Sequence, residues 1–419
     1  MNIKLKYYEA WDRYTLLALC SIAFCVSLGA ATVSISKLFL LVGFIVQIVI
    51  DRKKIFQANS IRIPIVFIWM FAAVAWSLIS MTWSDAAEQK QWKYFYSHTR
   101  FLWLGVIYYL LKTKDRALII LKWLIYGQIV VVTISWLMWF GMDVPLTRRP
   151  IEKGIAFTDT LEQPVMTVLV LIVIWGFRDY WTKLWGCWFL RLIIFLMLLN
   201  IIFVMTGRTG YIVLLISIAI EAYRLLKGRW RMLAFLSPII LSLAFFAISP
   251  TFSKRIMEIP INTQSYFEKQ EQSSEGERLE MWRSSIYGII NKPILGYGIG
   301  SMPEVYKENG GKIKPPISQP HQQYLFWWVE FGFIGLMIML AFFLALIKDS
   351  STIDKEARNS LHSTIAVLFV MGLFNCPFFG VGMGEFFFLV IAAILRIRGA
   401  MIPPLTLSIT NLNHNKLDL

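Results

Sequence analysis

His321 stands at the mouth of an apolar segment, in the run Pro-His-Gln-Gln-Tyr-Leu at 320–325. An imidazole titrates near pH ~6.5, so at neutral pH it can take a proton from a hydroxyl group. A lone histidine in this place could also be an interfacial residue that caps a helix. We favour a general base, because two arginines accompany His321 in the same part of the chain.

The first arginine, Arg208, lies in a short turn with the sequence Thr-Gly-Arg-Thr-Gly at 206–210, between two apolar runs. Glycines on both sides let the backbone turn tightly and let a large anion approach. The planar guanidinium group suits phosphate, and a charge at the edge of a membrane is a functional candidate by default. The alternative is an arginine that reaches up to lipid headgroups.

The second arginine, Arg278, belongs to a predicted amphipathic helix. Apolar residues recur there at helical spacing, at Leu279, Trp282, Ile286 and Ile289/Ile290. Ser274 and Glu277 resemble a capping box at the start of this helix, and Pro293 ends it. Arg278 and Arg283 flank the apolar stripe, so both are predicted at the water–protein boundary, although a solvated helix face is the plainer interpretation.

Several catalytic motifs do not occur in the sequence. It has no phosphate-binding loop of the Gly-x4-Gly-Lys-Ser/Thr type, no Asp-x-Asp pair and no Gly-x-Ser-x-Gly elbow. Its four histidines are scattered, and its four cysteines show no zinc or disulfide spacing. We therefore expect a reaction without a metal or another cofactor, on an activated substrate that is not a nucleotide.

The composition indicates that these residues are positioned by membrane helices. Of 419 residues, 57% are hydrophobic and only 16% are charged, and the mean hydropathy is +0.60. Charged groups are too few to cover a soluble core of this size. The sequence therefore predicts an all-α polytopic membrane protein with about twelve spans, at 15–31, 33–50, 63–81, 95–111, 117–140, 164–181, 184–205, 209–222, 232–249, 323–347, 361–379 and 384–397.

The distribution of basic residues predicts the orientation. With both termini in the cytoplasm, the inside segments carry about three times as many Lys and Arg residues as the short outside loops. The organisation is then nine spans over 1–249, a large outside loop over 250–322, three spans over 323–397 and a cytoplasmic tail over 398–419. Most of the net charge of +15 fixes this orientation, so it does not indicate a nucleic-acid partner.

The ordered set of motifs resembles the O-antigen ligase/polymerase superfamily. The set comprises the Arg208 turn, the run Arg-Leu-Glu-Met-Trp from Arg278, the glycine-rich run at 291–300, the His321 run, and Glu-Phe-Gly-Phe-Ile-Gly from Glu330. The resemblance is specific over about 200–340. One departure is Gln322, since the family often has Asn after the histidine. Glu330, Arg283 and Gln322 are kept as supporting candidates.

The resemblance implies an O-antigen ligase of the bacterial inner membrane with its active site in the periplasm. Such an enzyme moves O-antigen polysaccharide from undecaprenyl pyrophosphate to a sugar hydroxyl of lipid A–core, in lipopolysaccharide biosynthesis. It also implies that His321 is the essential histidine and that Arg208 and Arg278 bind the pyrophosphate. Within the superfamily, an O-antigen polymerase or a protein oligosaccharyltransferase is the alternative. A secondary transporter is less favoured, because the sequence shows no two related halves.

Overall fold

The computed structural model describes residues 3–57, 63–144, 154–269, 273–311 and 317–398, and all regular structure within these ranges is helical. The all-α prediction is therefore confirmed. His414 and the predicted tail beyond Arg398 lie outside the described residues. The helices before the Arg208 turn are α1 (Ile3–Cys25), α2 (Ala30–Gln57), α3 (Val66–Ile79), α4 (Glu88–His98), α5 (Leu102–Leu111), α6 (Lys114–Trp139), α7 (Glu162–Gly176), α8 (Arg178–Trp185) and α9 (Cys187–Leu199).

The second half of the described chain carries the predicted site. A π-helical turn, Asn200–Val204, extends α9 towards Arg208. The helices that follow are α10 (Arg208–Leu225), α11 (Arg231–Ile248), α12 (Pro250–Lys269), α13 (Ser274–Asn291), α14 (Met302–Glu308), α15 (Gln323–Asp349), α16 (Lys355–Phe374) and α17 (Met383–Arg396).

Six of the described helical segments are long and apolar enough to cross a membrane. The number becomes seven if α7 and α8, which meet at an angle of 85°, are counted as one broken span. A multi-pass membrane protein is thus supported, and each predicted span overlaps a helix. The count of twelve stays a prediction, because several of these helices, such as the ten-residue α5, are too short to cross a membrane alone.

The described part of the segment 250–322, which the sequence predicts as the outside loop, folds around α13, and its packing corrects two details of the prediction. The N-cap is Ser273 rather than Ser274, since the Ser273 hydroxyl accepts the Gly276 N–H. The buried face of α13 is centred on small residues rather than on the predicted stripe. Gly288 lets α14 approach so closely that an added Cβ would lie 2.5 Å from Val305 Cγ1. The predicted stripe is consequently half exposed, with Ile290 at 66%.

Helix α15 is interrupted where the glycine-rich run enters the bundle. Gly332 adopts φ +65°, and the backbone groups around it bond to the run instead of to their own helix. Tyr297 N–H donates to Val329 O at 2.9 Å, and Phe333 N–H donates to Pro293 O at 2.9 Å. A Cβ on Gly332 would lie 2.0 Å from Ile294 O, so only glycine fits this crossing. The break fixes the outside loop against the first half of α15, which follows His321.

A buried ion cluster fastens the last helix to the first half of the chain. Lys37 Nζ on α2 lies 2.8 Å from Glu385 Oε1 on α17, and Arg100 Nε lies 3.5 Å from the same oxygen. The three side chains are buried, so the negative charge of Glu385 and the positive charges of Lys37 and Arg100 must compensate one another. The cluster holds α17 in place, and with it the connection after α16 that contacts His321.

Candidate active site

The backbone at His321 is held in an unusual conformation by three neighbouring elements. His321 has φ +49°, one of two non-glycine residues with positive φ among the described residues. Trp282 Nε1 of α13 donates to Pro320 O at 3.1 Å, and Tyr94 OH of α4 donates to Ser318 O at 2.8 Å. On the other side, the Gln322 side chain accepts the Leu325 N–H and so caps α15. The imidazole is thus positioned by contacts from both halves of the chain.

Asn375, in the connection after α16, fixes the tautomer of His321. Asn375 Oδ1 accepts the Cys376 N–H at 2.9 Å, which identifies that atom as the amide oxygen. The same oxygen lies 3.3 Å from His321 Nδ1, so in the neutral ring Nδ1 carries the hydrogen and donates it. The lone pair is then on Nε2, for which the described residues provide no hydrogen-bond partner. His321 therefore presents an unprotonated nitrogen to a substrate.

The surroundings of His321 also keep it neutral. Burial lowers its pKa below the usual histidine value, and the positive charge of Arg278 lowers it further. The hydrogen bond with Asn375 and the carboxylate of Asp159 act in the opposite direction. Because the lowering effects dominate, the imidazole is unprotonated at neutral pH, as a general base must be.

Arg278 lies on α13, where the described part of the chain gives it no counter-ion. Burial lowers the pKa of its guanidinium, which nevertheless stays charged at physiological pH. No hydrogen-bond or ion-pair partner for Arg278 lies among the described residues, although its charge acts on both His321 and Arg208. A half-buried charge of this kind is costly unless an anion completes it. Arg278 is therefore the described arginine best suited to receive an anionic ligand.

Arg208, at the first position of α10, is held by the outside loop. Its guanidinium pairs with Glu275 of α13, lies 3.5 Å from Glu258 Oε2 of α12, and donates from Nε to Arg255 O at 3.0 Å. The space beside its glycines is filled by the chain itself, since a Cβ on Gly207 would lie 1.8 Å from Thr160 O. Gly207 therefore serves packing against the segment before α7, and Gly210 serves packing against Pro164 of α7.

The supporting candidates take different places. Arg283 is exposed and stacks over the Tyr287 ring at 5.6 Å. Glu330 is fully buried at the break in α15, where its Oε1 accepts the Gly300 N–H at 3.0 Å and its Oε2 lies 3.9 Å from His98 Nε2. The contacts of Glu330 and Gln322 thus hold the loop and the cap beside His321.

Sequence reasoning missed Asn375, Asp159 and the two carboxylates that pair with Arg208. Asp159 gave one usable signal, because it caps α7 by accepting the Leu161 and Glu162 N–H groups. Glu275 lies between Ser274 and Glu277 in the predicted helix start, and nothing in that pattern indicates a pairing with Arg208. Nothing in the sequence places Asn375, 54 residues after His321, beside the imidazole. Within the described ranges, no group of three His, Cys, Asp or Glu side chains could hold a metal ion.

One comparison with known proteins concerns this same part of the chain. Residues 192–340, which include Arg208, Arg278 and His321, match the family model described as O-Antigen ligase. This segment is similar to the O-antigen ligase family. The resemblance to the O-antigen ligase/polymerase superfamily is thereby confirmed.

Two relatives match parts of the chain. A Rickettsia conorii protein whose name describes it as a polysaccharide ligase is 34% identical over 92 residues, which are 20% of this chain and 22% of that protein. An uncharacterized protein of Haemophilus influenzae is 25% identical over 166 residues, which are 36% of this chain and 42% of the relative. The chain thus matches less than half the length of either relative.

Proposed function

We propose that this protein is a metal-independent glycosyltransferase that joins a lipid-linked polysaccharide to a sugar hydroxyl. The donor is O-antigen on undecaprenyl pyrophosphate, and the acceptor is lipid A–core at the periplasmic face of a bacterial inner membrane. The observation that carries the proposal is the pairing of two groups. One is a neutral His321 whose Nε2 has no hydrogen-bond partner among the described residues, and the other is Arg278, which lies within electrostatic reach and has no counter-ion among them. Glycosyl transfer from a pyrophosphate donor needs a base for the acceptor hydroxyl and a positive charge for the departing pyrophosphate.

In this proposal, His321 Nε2 takes the proton of the acceptor hydroxyl as its oxygen attacks the anomeric carbon of the donor. A new glycosidic C–O bond forms while the C–O bond to pyrophosphate breaks, and the electron pair leaves with the pyrophosphate. General-base assistance of this kind contributes roughly 10²–10⁴-fold. Asn375 supports the step because its Oδ1 keeps the ring hydrogen on Nδ1. The same oxygen accepts the hydrogen bond from Nδ1–H while the ring becomes positively charged.

The arginines stabilise the departing anion. Negative charge grows on the pyrophosphate as the bond breaks, and a guanidinium fixed in a half-buried site stabilises it without a metal. Pyrophosphate is a good leaving group, so the reaction requires no general acid. Both substrates are lipids, which agrees with a site held between a membrane bundle and one covering loop.

The test is purified protein in lipid nanodiscs with a polyprenyl-pyrophosphate-linked oligosaccharide, lipid A–core as acceptor, and a chelator in place of metal. We expect a ligated product, and a loss of about 10²–10⁴-fold in kcat for His321→Ala. His362→Ala is the matched control, because that ring bonds Ser350 Oγ at 2.7 Å, away from His321. Normal product formation by His321→Ala at an equal protein level would overturn the role of the base.

The same assay separates the alternatives within the superfamily. If a second lipid-linked repeat accepts the sugar and lipid A–core does not, the protein is a polymerase. If an acceptor protein is required, it is an oligosaccharyltransferase. Movement of the intact donor across the bilayer without bond formation would indicate a transporter.

A further inference from the structure

The segment before α7 carries an acidic side chain that has no part in the proton transfer described above. Asp159 Oδ1 accepts the Leu161 N–H at 2.9 Å and the Glu162 N–H at 2.7 Å, which fixes the carboxylate at the start of α7. Within the described ranges, its other oxygen, Oδ2, has no hydrogen-bond or ion-pair partner. A carboxylate has about four lone-pair positions, so Asp159 can still accept hydrogen bonds from a ligand.

The segment is held in place by its own hydrogen bonds. Gln163 of α7 accepts the Ala156 N–H at 2.8 Å through Oε1 and donates from Nε2 to Gly154 O at 3.0 Å. Thr158, next to Asp159, is only 6% exposed, and its hydroxyl has no hydrogen-bond partner among the described residues. A buried polar group without a partner costs free energy. The segment thus keeps two polar groups side by side that a hydroxyl-bearing ligand could satisfy.

One side of this segment packs against the turn that carries Arg208. The backbone oxygen of Thr160, the residue after Asp159, lies so close to Gly207 that any side chain at that glycine would collide with it. Gly207 directly precedes Arg208. Asp159 is therefore one residue away from a backbone contact with the arginine turn.

The other side of the segment packs against the connection that holds His321. A Cβ on Gly380 would lie 3.3 Å from Glu162 Oε1, one turn after Asp159. Gly380 belongs to the connection after α16, whose first residue, Asn375, contacts the imidazole. The carboxylate of Asp159 also acts to raise the pKa of His321, so its charge reaches the ring. Packing and charge thus both place Asp159 beside the base.

The charge of Asp159 restricts what can bind to it. A carboxylate repels pyrophosphate and any phosphate group of an acceptor. It accepts hydrogen bonds from sugar hydroxyls, and such charge-assisted bonds are roughly twice as strong as neutral ones. The candidate site is therefore divided by charge. Arg278 suits the anionic donor, and Asp159 suits the uncharged hydroxyl groups of the acceptor.

We infer that Asp159 binds the acceptor by accepting a hydrogen bond from a second hydroxyl group of the sugar that attacks the donor. The inference rests on the proposed function, because it requires a sugar whose attacking oxygen lies at His321 Nε2. The hydrogen bond orients the acceptor before proton transfer, and no covalent bond to Asp159 forms or breaks. It selects a sugar with a free hydroxyl, and without a phosphate, near the attacking hydroxyl.

The test combines one variant with a set of acceptors in nanodiscs. Asp159→Asn keeps an oxygen that can cap α7 and removes the charge. The acceptors are lipid A–core and analogues that each lack one hydroxyl of the glycosylated sugar. With the intact acceptor, Asp159→Asn should lower kcat/KM about tenfold. One reactive analogue should lose a similar factor with the wild-type protein, and with that analogue the variant should lose no more than about twofold.

Asp143→Asn is the matched control, because it removes the same charge from an exposed residue in the segment after α6. It should leave kcat/KM for the intact acceptor within about twofold of wild type. If Asp159→Asn lost the same factor with the intact acceptor and with every reactive analogue, its charge would act only through His321, and the inference would be wrong. No loss with the intact acceptor would overturn it as well.

A second measurement tests the position of Asp159 without analogues. Asp159→Asn removes a charge that raises the pKa of His321, so the acidic limb of kcat/KM should move to lower pH, by less than about one unit. This direction is opposite to that expected for the loss of the Arg278 charge. A limb that did not move would contradict a place beside the base. Failure of the proposed function looks different, since then the wild-type protein would transfer sugar to none of the acceptors.

Discussion

Arg208 and Arg278 look alike in the sequence but have opposite surroundings in the fold. Arg208 is paired with two carboxylates and a backbone carbonyl, all supplied by the outside loop. Arg278 lies on the same loop, and the described residues give it no partner at all. The difference shows that the residue type alone identifies an arginine as a candidate anion site. Whether its guanidinium is available to bind an anion depends on the counter-ions that the fold places beside it.

The comparison also suggests how the two arginines divide the work. Arg278 can receive an anion without giving up a hydrogen bond or ion pair to any residue that the structure describes. Arg208 must exchange Glu275 and Glu258 for phosphate oxygens, so part of its binding energy is used to break existing ion pairs. We therefore expect Arg278 to dominate donor recognition and Arg208 to contribute less.

Among the tests of this comparison, the largest effect should come from replacing the arginines one at a time. Arg278→Lys removes the planar fork and should lower kcat/KM for the donor about 10–100-fold, since hydrogen bonds to charged groups contribute about 1.5–3 kcal/mol. Arg208→Lys should cost less, about threefold to tenfold, for the reason above. Initial rates over a range of donor concentrations measure both losses.

Arg283→Lys is the matched control for these variants, because Arg283 lies on the same helix but is exposed and stacks on Tyr287. It should stay within about twofold of wild type, as expected of an exposed residue. If Arg208→Lys proved as damaging as Arg278→Lys, the proposed division of work would be wrong.

Tighter binding of pyrophosphate is expected when the Arg208 guanidinium loses its ion pair with Glu275. Glu275→Gln removes the carboxylate that pairs with Arg208 and should strengthen inhibition by inorganic pyrophosphate about threefold to tenfold at low salt. Glu277→Gln on the same first turn of α13 is the control, because it changes the charge near the helix start equally without touching Arg208. Equal inhibition of both variants would show that the Arg208 ion pair does not limit binding.

The smallest effect concerns pH. A general base is active when unprotonated, and burial and the Arg278 charge lower the pKa of His321. The acidic limb of kcat/KM should therefore lie below the usual histidine value of ~6.5. Arg278→Gln removes one lowering cause, so the limb of its residual activity should move to higher pH, by less than about one unit. If the acidic limb did not move in Arg278→Gln, or moved equally far in Arg283→Gln, the charge of Arg278 would not be what lowers the pKa of His321.

Much of the architecture followed from the sequence alone. Long apolar runs predicted an all-helical membrane bundle, because backbone groups in lipid are satisfied within helices. The start and end of α13 were predicted to within one residue, since serine caps and proline stops act locally. The break in α15 was not predicted, although Glu330 and Gly332 were noted, because its hydrogen bonds come from residues 293–298.

For the candidate site, the sequence by itself determined which side chains could do chemistry: an imidazole and two guanidinium groups in one segment, within a membrane protein. Side-chain chemistry is a property of residue type and needs no fold. Only the tertiary structure decided that Asn375 sets the tautomer of His321, that Glu275 and Glu258 occupy Arg208, and that Arg278 has no described partner. These are long-range pairings, and they depend on how helices far apart in the chain pack together.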